Sequence, residues 1–166
     1  SAIQIAEQFK DFYKHKIRVI LSKSIEQGWK NTLYKEGRGN NQCIGKIYGL
    51  EMDKENKLLD VKKEPTRHLN KIIKRSYEFY GYRKFSNTVA GIKRSYVKNE
   101  KNPQEIARLE RKAIQEYFSN SLLIIDEAHN IRLEESSNKD IRDIIENIND
   151  IVTYSQNMKI VLLSAT

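Results

Sequence analysis

Cysteine is nearly absent: Cys43 stands alone, so no disulfide can close within the chain, and a reducing, intracellular compartment is the natural setting. No apolar run approaches the ~20 residues a membrane-crossing helix needs, and no secretory leader precedes the first helical pattern. Membrane partners are therefore not expected. Three histidines and one cysteine, scattered along the sequence, give no support for a metal site built on imidazole and thiolate. Internal repeats and low-complexity tracts are missing as well.

What is present describes a charged globular domain: 166 residues, 39% hydrophobic and 31% charged, long enough to bury a core. The net charge of +8 is unevenly spread. Residues 1–120 hold 26 Lys and Arg against 14 acids, and residues 121–166 hold 4 against 8. A basic body beside an acidic segment suggests a polyanion meeting one face, although a solvated lysine-rich surface gives the same count. Ser1 falls inside a helical pattern and Thr166 directly follows an apolar run, so the chain is expected to be a piece of something longer.

Ile3, Ala6, Phe9 and Tyr13 recur at helical spacing over residues 2–14. A β-branched run, Ile17 to Leu21, reads as a buried strand. A second helix follows, with Ser24 and Gln27 spaced as a capping box and Ile25, Trp29 and Leu33 on one face. Trp29 is read as core rather than as a base-stacking residue. A strand between two helices points to a parallel α/β architecture.

Residues 36–66 keep no period and read as an irregular insertion. A short helix at "HLNKIIKRS" leads into an aromatic strand, Tyr77 to Tyr82, whose rings are expected to pack the sheet. Phe85, Val89 and Ile92 mark another helix, and residues 93–102 read as a basic loop. Pro103 suits the first turn of a helix reaching Phe118. A strand at 122–126, a helix at 138–155 and a final buried strand from Lys159 to Leu163 complete the pattern.

The chemistry concentrates where two apolar runs end. "LLIIDEAH" delivers Asp126 and Glu127 to the tip of a strand, and "IVLLSAT" delivers Ser164, Ala165 and Thr166. Parallel sheets hold ligands at the carboxyl ends of their strands. Adjacent acids there repel unless a cation or a polarised water lies between them, which a nucleotide with Mg²⁺ supplies. The plainer alternative is that the acids merely open a helix, where the dipole favours them.

Asp126-Glu127-Ala128-His129 resembles the Walker-B motif of superfamily two helicases and translocases, and Ser164-Ala165-Thr166 resembles their third motif. The resemblance implies a RecA-like three-layer α/β domain with a mostly parallel sheet, hydrolysing ATP with Mg²⁺. Within it Asp126 would hold the ion through water and contact the nucleotide, and Glu127 would act as catalytic base. His129, Ser164, Ala165 and Thr166 would couple the nucleotide to nucleic acid and to a second RecA-like lobe. "VILSKSIEQGW" resembles the motif whose strand end meets the nucleic-acid backbone, which points to Ser22 and Lys23. "YEFYGYRKFSN" and the basic inserts are most similar to the Snf2-like, early-transcription-factor and termination ATPases of large DNA viruses. That likeness favours DNA over RNA, adds RNA polymerase as a further partner, and suggests a viral factory, virion or nucleus as location.

The family's glycine-rich phosphate loop, G-x-x-x-x-G-K-[ST], does not occur in these 166 residues. Its expected place is upstream of the first helix, and the 166 residues alone are expected to be inactive. Lys93 and Arg94, in a basic cluster, are the remaining candidates for phosphate contact. Two other readings stay open. One is a non-catalytic basic nucleic-acid-binding module with a degenerate nucleotide site. The other is a polymerase-binding scaffold that uses residues 36–66.

Overall fold

Period-two alternation in three short runs decides the layering. Ile17, Val19 and Leu21 face one side of the sheet with Leu122, Ile124 and Tyr77, while Ile20, Leu123, Ile125 and Tyr80 face the other. Strands buried on both faces must be covered on both faces, and helices supply that cover. A computed structural model describes residues 2–33, 65–131 and 139–164. Helix α1 (Ala2–Phe9) tightens into a 3₁₀ turn at Lys10–Phe12 before strand β1 (Ile17–Ile20). Helices α2 (Lys23–Leu33) and α3 (Pro65–Ser76) precede β2 (Tyr77–Tyr80). Helices α4 (Tyr82–Tyr96) and α5 (Pro103–Phe118) lead to β3 (Leu122–Ile125), and α6 (Lys139–Tyr154) leads to β4 (Lys159–Leu162).

All four strands run parallel, in the order β2-β1-β3-β4. Helices α1, α2 and α3 pack on one face, and α4, α5 and α6 on the other. This is the expected three-layer RecA-like arrangement. The chain leaves β1 toward β2, crosses back over β1 through α4 and α5 to form β3, and then continues outward to β4. The connections therefore diverge between the carboxyl ends of β1 and β3, the place where open α/β sheets keep their ligands.

Local chemistry accounts for the boundaries. Asn102 caps α5, its side-chain oxygen accepting from the Gln104 N–H at 3.0 Å, with Pro103 at the first helical position. The proposed capping box does not form, because α2 already begins at Lys23, and Ser24 instead pairs its hydroxyl with that of Ser22 at 2.8 Å. The aromatic strand ends two residues early: Gly81 turns the chain, and Tyr82 opens α4. That helix continues through residues 93–96, which the sequence suggested were loop. Residues 34–64, most of the suspected insertion, lie outside the described residues, while Pro65 and Thr66 begin α3.

Strand β4 departs from expectation. It is mostly exposed rather than buried, with Leu162 60% accessible, because among the described residues it forms the sheet's edge beyond β3. Arg18 is a second surprise in a central strand. It is 4% exposed, faces Glu78 across the β1–β2 register with Nε 3.5 Å from Oε2, and lays its guanidinium over the rings of Tyr117 and Phe118. His15 is half-buried and stacks on Tyr117.

Phe118 is buried beneath Arg18 and meets Phe85 edge to face. Phe118→Ala should lower stability by about 3–5 kcal/mol, the usual cost of removing a core aromatic. Val152→Ala, on a half-exposed residue of α6, should stay within about 0.5 kcal/mol. Urea midpoints of the two variants give the comparison.

Candidate functional site

The ladder continues past β3 and carries the acidic pair into place. The Asp126 N–H donates to the Ile20 carbonyl at 2.8 Å, and the Ala128 N–H donates to the Leu163 carbonyl at 2.7 Å. Asp126 therefore stands between the ends of β1 and β3, at the divergence point of the connections. Its parity along β3 aims the side chain at the α1–α2–α3 face. There the Trp29 indole N–H donates to Oδ2 at 2.7 Å, and the Glu127 N–H donates to Oδ1 at 3.0 Å. Both carboxylate oxygens are held, each by one donor, which leaves lone pairs on each for a further ligand.

Glu127 takes a left-handed backbone conformation, φ 54°. A non-glycine residue pays strain there, on the order of 1 kcal/mol, and the surroundings fix it. The Tyr82 hydroxyl donates to the carbonyls of Asp126 and, at 3.1 Å, of Glu127. The Asn130 N–H closes a 3₁₀ turn onto the Glu127 carbonyl at 2.9 Å. The turn redirects the chain so that the Glu127 carboxylate sits 3.2 Å from His129 Nδ1, and the Ser164 hydroxyl lies 3.4 Å from that same nitrogen. Strand β3 and strand β4 thus bring four of the sequence candidates together: Asp126, Glu127, His129 and Ser164. Ala165 and Thr166 lie outside the described residues.

Ser22 and Lys23 follow β1 on the same carboxyl edge, Ser22 half-buried and Lys23 exposed. Lys93 and Arg94 do not join them. Helix α4 runs back from that edge, so its last turn stands toward the amino ends of the strands, and Lys93 is paired with Asp150 of α6 at 2.5 Å. Two contributors escaped the sequence reading. Trp29 is core, as expected, but its N–H target lies 97 residues away. Tyr82 was grouped with the strand aromatics, and the Gly81 that frees it for α4 was the available signal.

Among the described residues no cluster of three or more metal-ligating side chains exists. The donors present, two adjacent carboxylates at a half-buried sheet edge, suit Mg²⁺, which keeps several waters and takes one or two carboxylates beside substrate phosphates.

Residues 53–166 match the family model for the DEAD/DEAH box helicase. The chain belongs to the DEAD/DEAH box helicase family. A protein of Acanthamoeba polyphaga mimivirus described as an ATP-dependent RNA helicase is 32% identical over 182 residues, an alignment covering 99% of this chain and 14% of that protein. The chain thus spans about one seventh of that helicase relative. No solved structure matches this DEAD/DEAH box helicase chain significantly.

Tyr82→Phe removes the hydroxyl that holds both carbonyls and should lower stability by about 1 kcal/mol, with the backbone amide resonances of Glu127 and Ala128 displaced. Burial, together with the charges of Asp126 and Glu127, pushes the Tyr82 hydroxyl above its ordinary value of 10.0, a hydrogen bond from Asn130 pulling the other way. Above pH 10 the unfolded chain releases this proton while the folded chain keeps it, so stability falls as pH rises past 10. The fall should be shallower in Tyr82→Phe, as read from urea midpoints between pH 9 and pH 11.

Proposed function

We propose that this chain carries the catalytic carboxylates of an ATP-driven motor acting on nucleic acid. The observation that supports it is the joint presence of Asp126, Glu127, His129 and Ser164 at the divergence point of a parallel sheet. Asp126 would hold Mg²⁺ through water, and the bound ion would neutralise charge on the phosphates. Glu127 is the base. Its carboxylate orients the attacking water and takes the proton as the water's oxygen bonds to the terminal phosphorus and the bond from that phosphorus to the bridging oxygen breaks, ADP leaving with the bridging oxygen. His129, shared between Glu127 and Ser164, links that carboxylate to the segment ending in Ala165 and Thr166, and through it to nucleic acid and a second lobe. That lobe would supply the arginine that stabilises the transferring phosphoryl group.

Ser22 and Lys23, on the same edge, are suited to backbone phosphates. Lys93 and Arg94 lie elsewhere, so any contact they make belongs to a different part of the nucleic-acid path. The Snf2-like sequence features favour DNA, viral transcription, RNA polymerase as an associate and an intracellular reducing location. The description of the mimivirus relative favours RNA. Stimulation of hydrolysis by duplex DNA and by duplex RNA, measured side by side, decides between them. A non-catalytic binding module is the competing reading, and it predicts no turnover under either condition.

In the full-length protein, Glu127→Gln should retain nucleotide and nucleic-acid binding and lose turnover by roughly 10²–10⁴-fold, the usual contribution of a general base. Undiminished nucleic-acid-stimulated phosphate release would remove Glu127 from the role of base.

A further inference from the structure

We propose that Trp29 is a positioning residue for the metal-binding carboxylate, holding Asp126 in the orientation that Mg²⁺ requires. The inference rests on the reading of Asp126 as the Mg²⁺ ligand. Its own support is geometric. Trp29 is 6% exposed, and its indole N–H donates to Asp126 Oδ2 at 2.7 Å, within the range of a charge-assisted hydrogen bond. The ring cannot swing away, since it meets Phe79 edge to face with centroids 6.4 Å apart and is packed into the α1–α2–α3 core. The second oxygen is fixed independently by the Glu127 N–H at 3.0 Å. Two rigid donors, one on each oxygen, set the rotation of the carboxylate and direct its remaining lone pairs outward.

Placement gives the contact a further consequence. Helix α2 begins at Lys23, directly after Ser22, and Trp29 lies about two turns along it, roughly 10 Å away by helical rise. The helix that presents Ser22 and Lys23 at the carboxyl edge is therefore tied by one side chain to the acid of β3. A partner engaging the first turn of α2 pulls on the same rigid body that orients Asp126.

The test uses the full-length protein and two substitutions. Trp29→Phe keeps an aromatic ring against Phe79 but loses the N–H. Trp29→His restores a donor, because the imidazole ring overlays the indole's five-membered ring with Nε2 where Nε1 stood, and at pH 8 the neutral ring carries one N–H. Ligands of this orienting kind are typically worth 10–100-fold in metal affinity. Trp29→Phe should raise the Mg²⁺ concentration for half-maximal ATP turnover about 10-fold, and Trp29→His should recover most of the loss.

A metal-free readout accompanies the kinetics. The indole N–H resonance that vanishes in Trp29→Phe should move upfield in Asp126→Ala, with the amide resonances away from the site retained. An unchanged Mg²⁺ requirement in Trp29→Phe overturns the proposal. So does an equal loss in both Trp29 variants without a shifted Mg²⁺ requirement, which would make the ring a packing element only. An indole resonance indifferent to Asp126→Ala overturns it too. Full turnover in Asp126→Ala would instead overturn the metal-ligand reading beneath it.

Discussion

Parallel pairing of β1 with β3 is the constraint on which everything else depends. The sequence neighbour of β1 in the sheet is β2, yet β3 takes the other side, and this insertion makes the connections diverge between the two strands. The pairing carries one hydrogen bond beyond its last register pair, from the Asp126 N–H to the Ile20 carbonyl. That bond fixes an acidic residue where the connections diverge, between the carboxyl ends of β1 and β3. Slipping the register by one residue would turn Asp126 to the opposite face, away from Trp29, and bring Ile125 or Glu127 to Trp29's side in its stead.

The left-handed turn at Glu127 follows from the same constraint. A chain leaving β3 in regular extended form would carry Glu127 onward, away from His129. Instead the φ of 54° bends it at once, and four groups share the work of holding the bend: the Tyr82 hydroxyl, the Asn130 N–H, the Leu163 carbonyl and the Asp126 side chain. Strain of this size persists only where the surroundings over-determine it. Tyr82 comes from α4 and Leu163 from the end of β4, so the turn is held jointly by both elements that flank it in space.

The three-layer fold was legible because the strands declare themselves twice, through β-branched apolar runs and through their abrupt polar ends. The placing of Asp126, Glu127, His129 and Ser164 near one another was legible for the same reason, since all four lie within four residues of such an end. Strand exposure was not legible: "KIVLL" reads as a buried strand whether or not a neighbour covers it, and only its edge position reveals Leu162 to solvent. Contacts between distant residues were equally hidden. Apolar periodicity identifies Trp29 as core, but it carries no record of where the one polar atom of the ring is directed. Tyr82 shows the related difficulty, because alternation placed it in the strand while a single glycine shifted it to the first position of a helix.

Charge illustrates the difference between counting and locating. The excess of basic residues suggested one surface for a polyanion, but part of that excess is used inside the fold. Lys93 ties α4 to α6 through Asp150, Lys30 bonds Glu26 along α2 at 2.5 Å, and Arg18 is buried over two aromatic rings. Pairs of this kind, partly withdrawn from water, are screened less by salt than exposed ones. A polyanion meets only the cations left over. Around β2 these include, among the described residues, Lys16, Lys23 and Lys74, which line an open groove together with Glu78, Phe79 and Lys84, the last with its ammonium over the Tyr80 ring. Lys23 belongs both to that groove and to the first turn of the helix that carries Trp29. The leftover charge and the acidic pair thus meet through one helix, and the sequence total of +8 conceals that the two are connected at a single element.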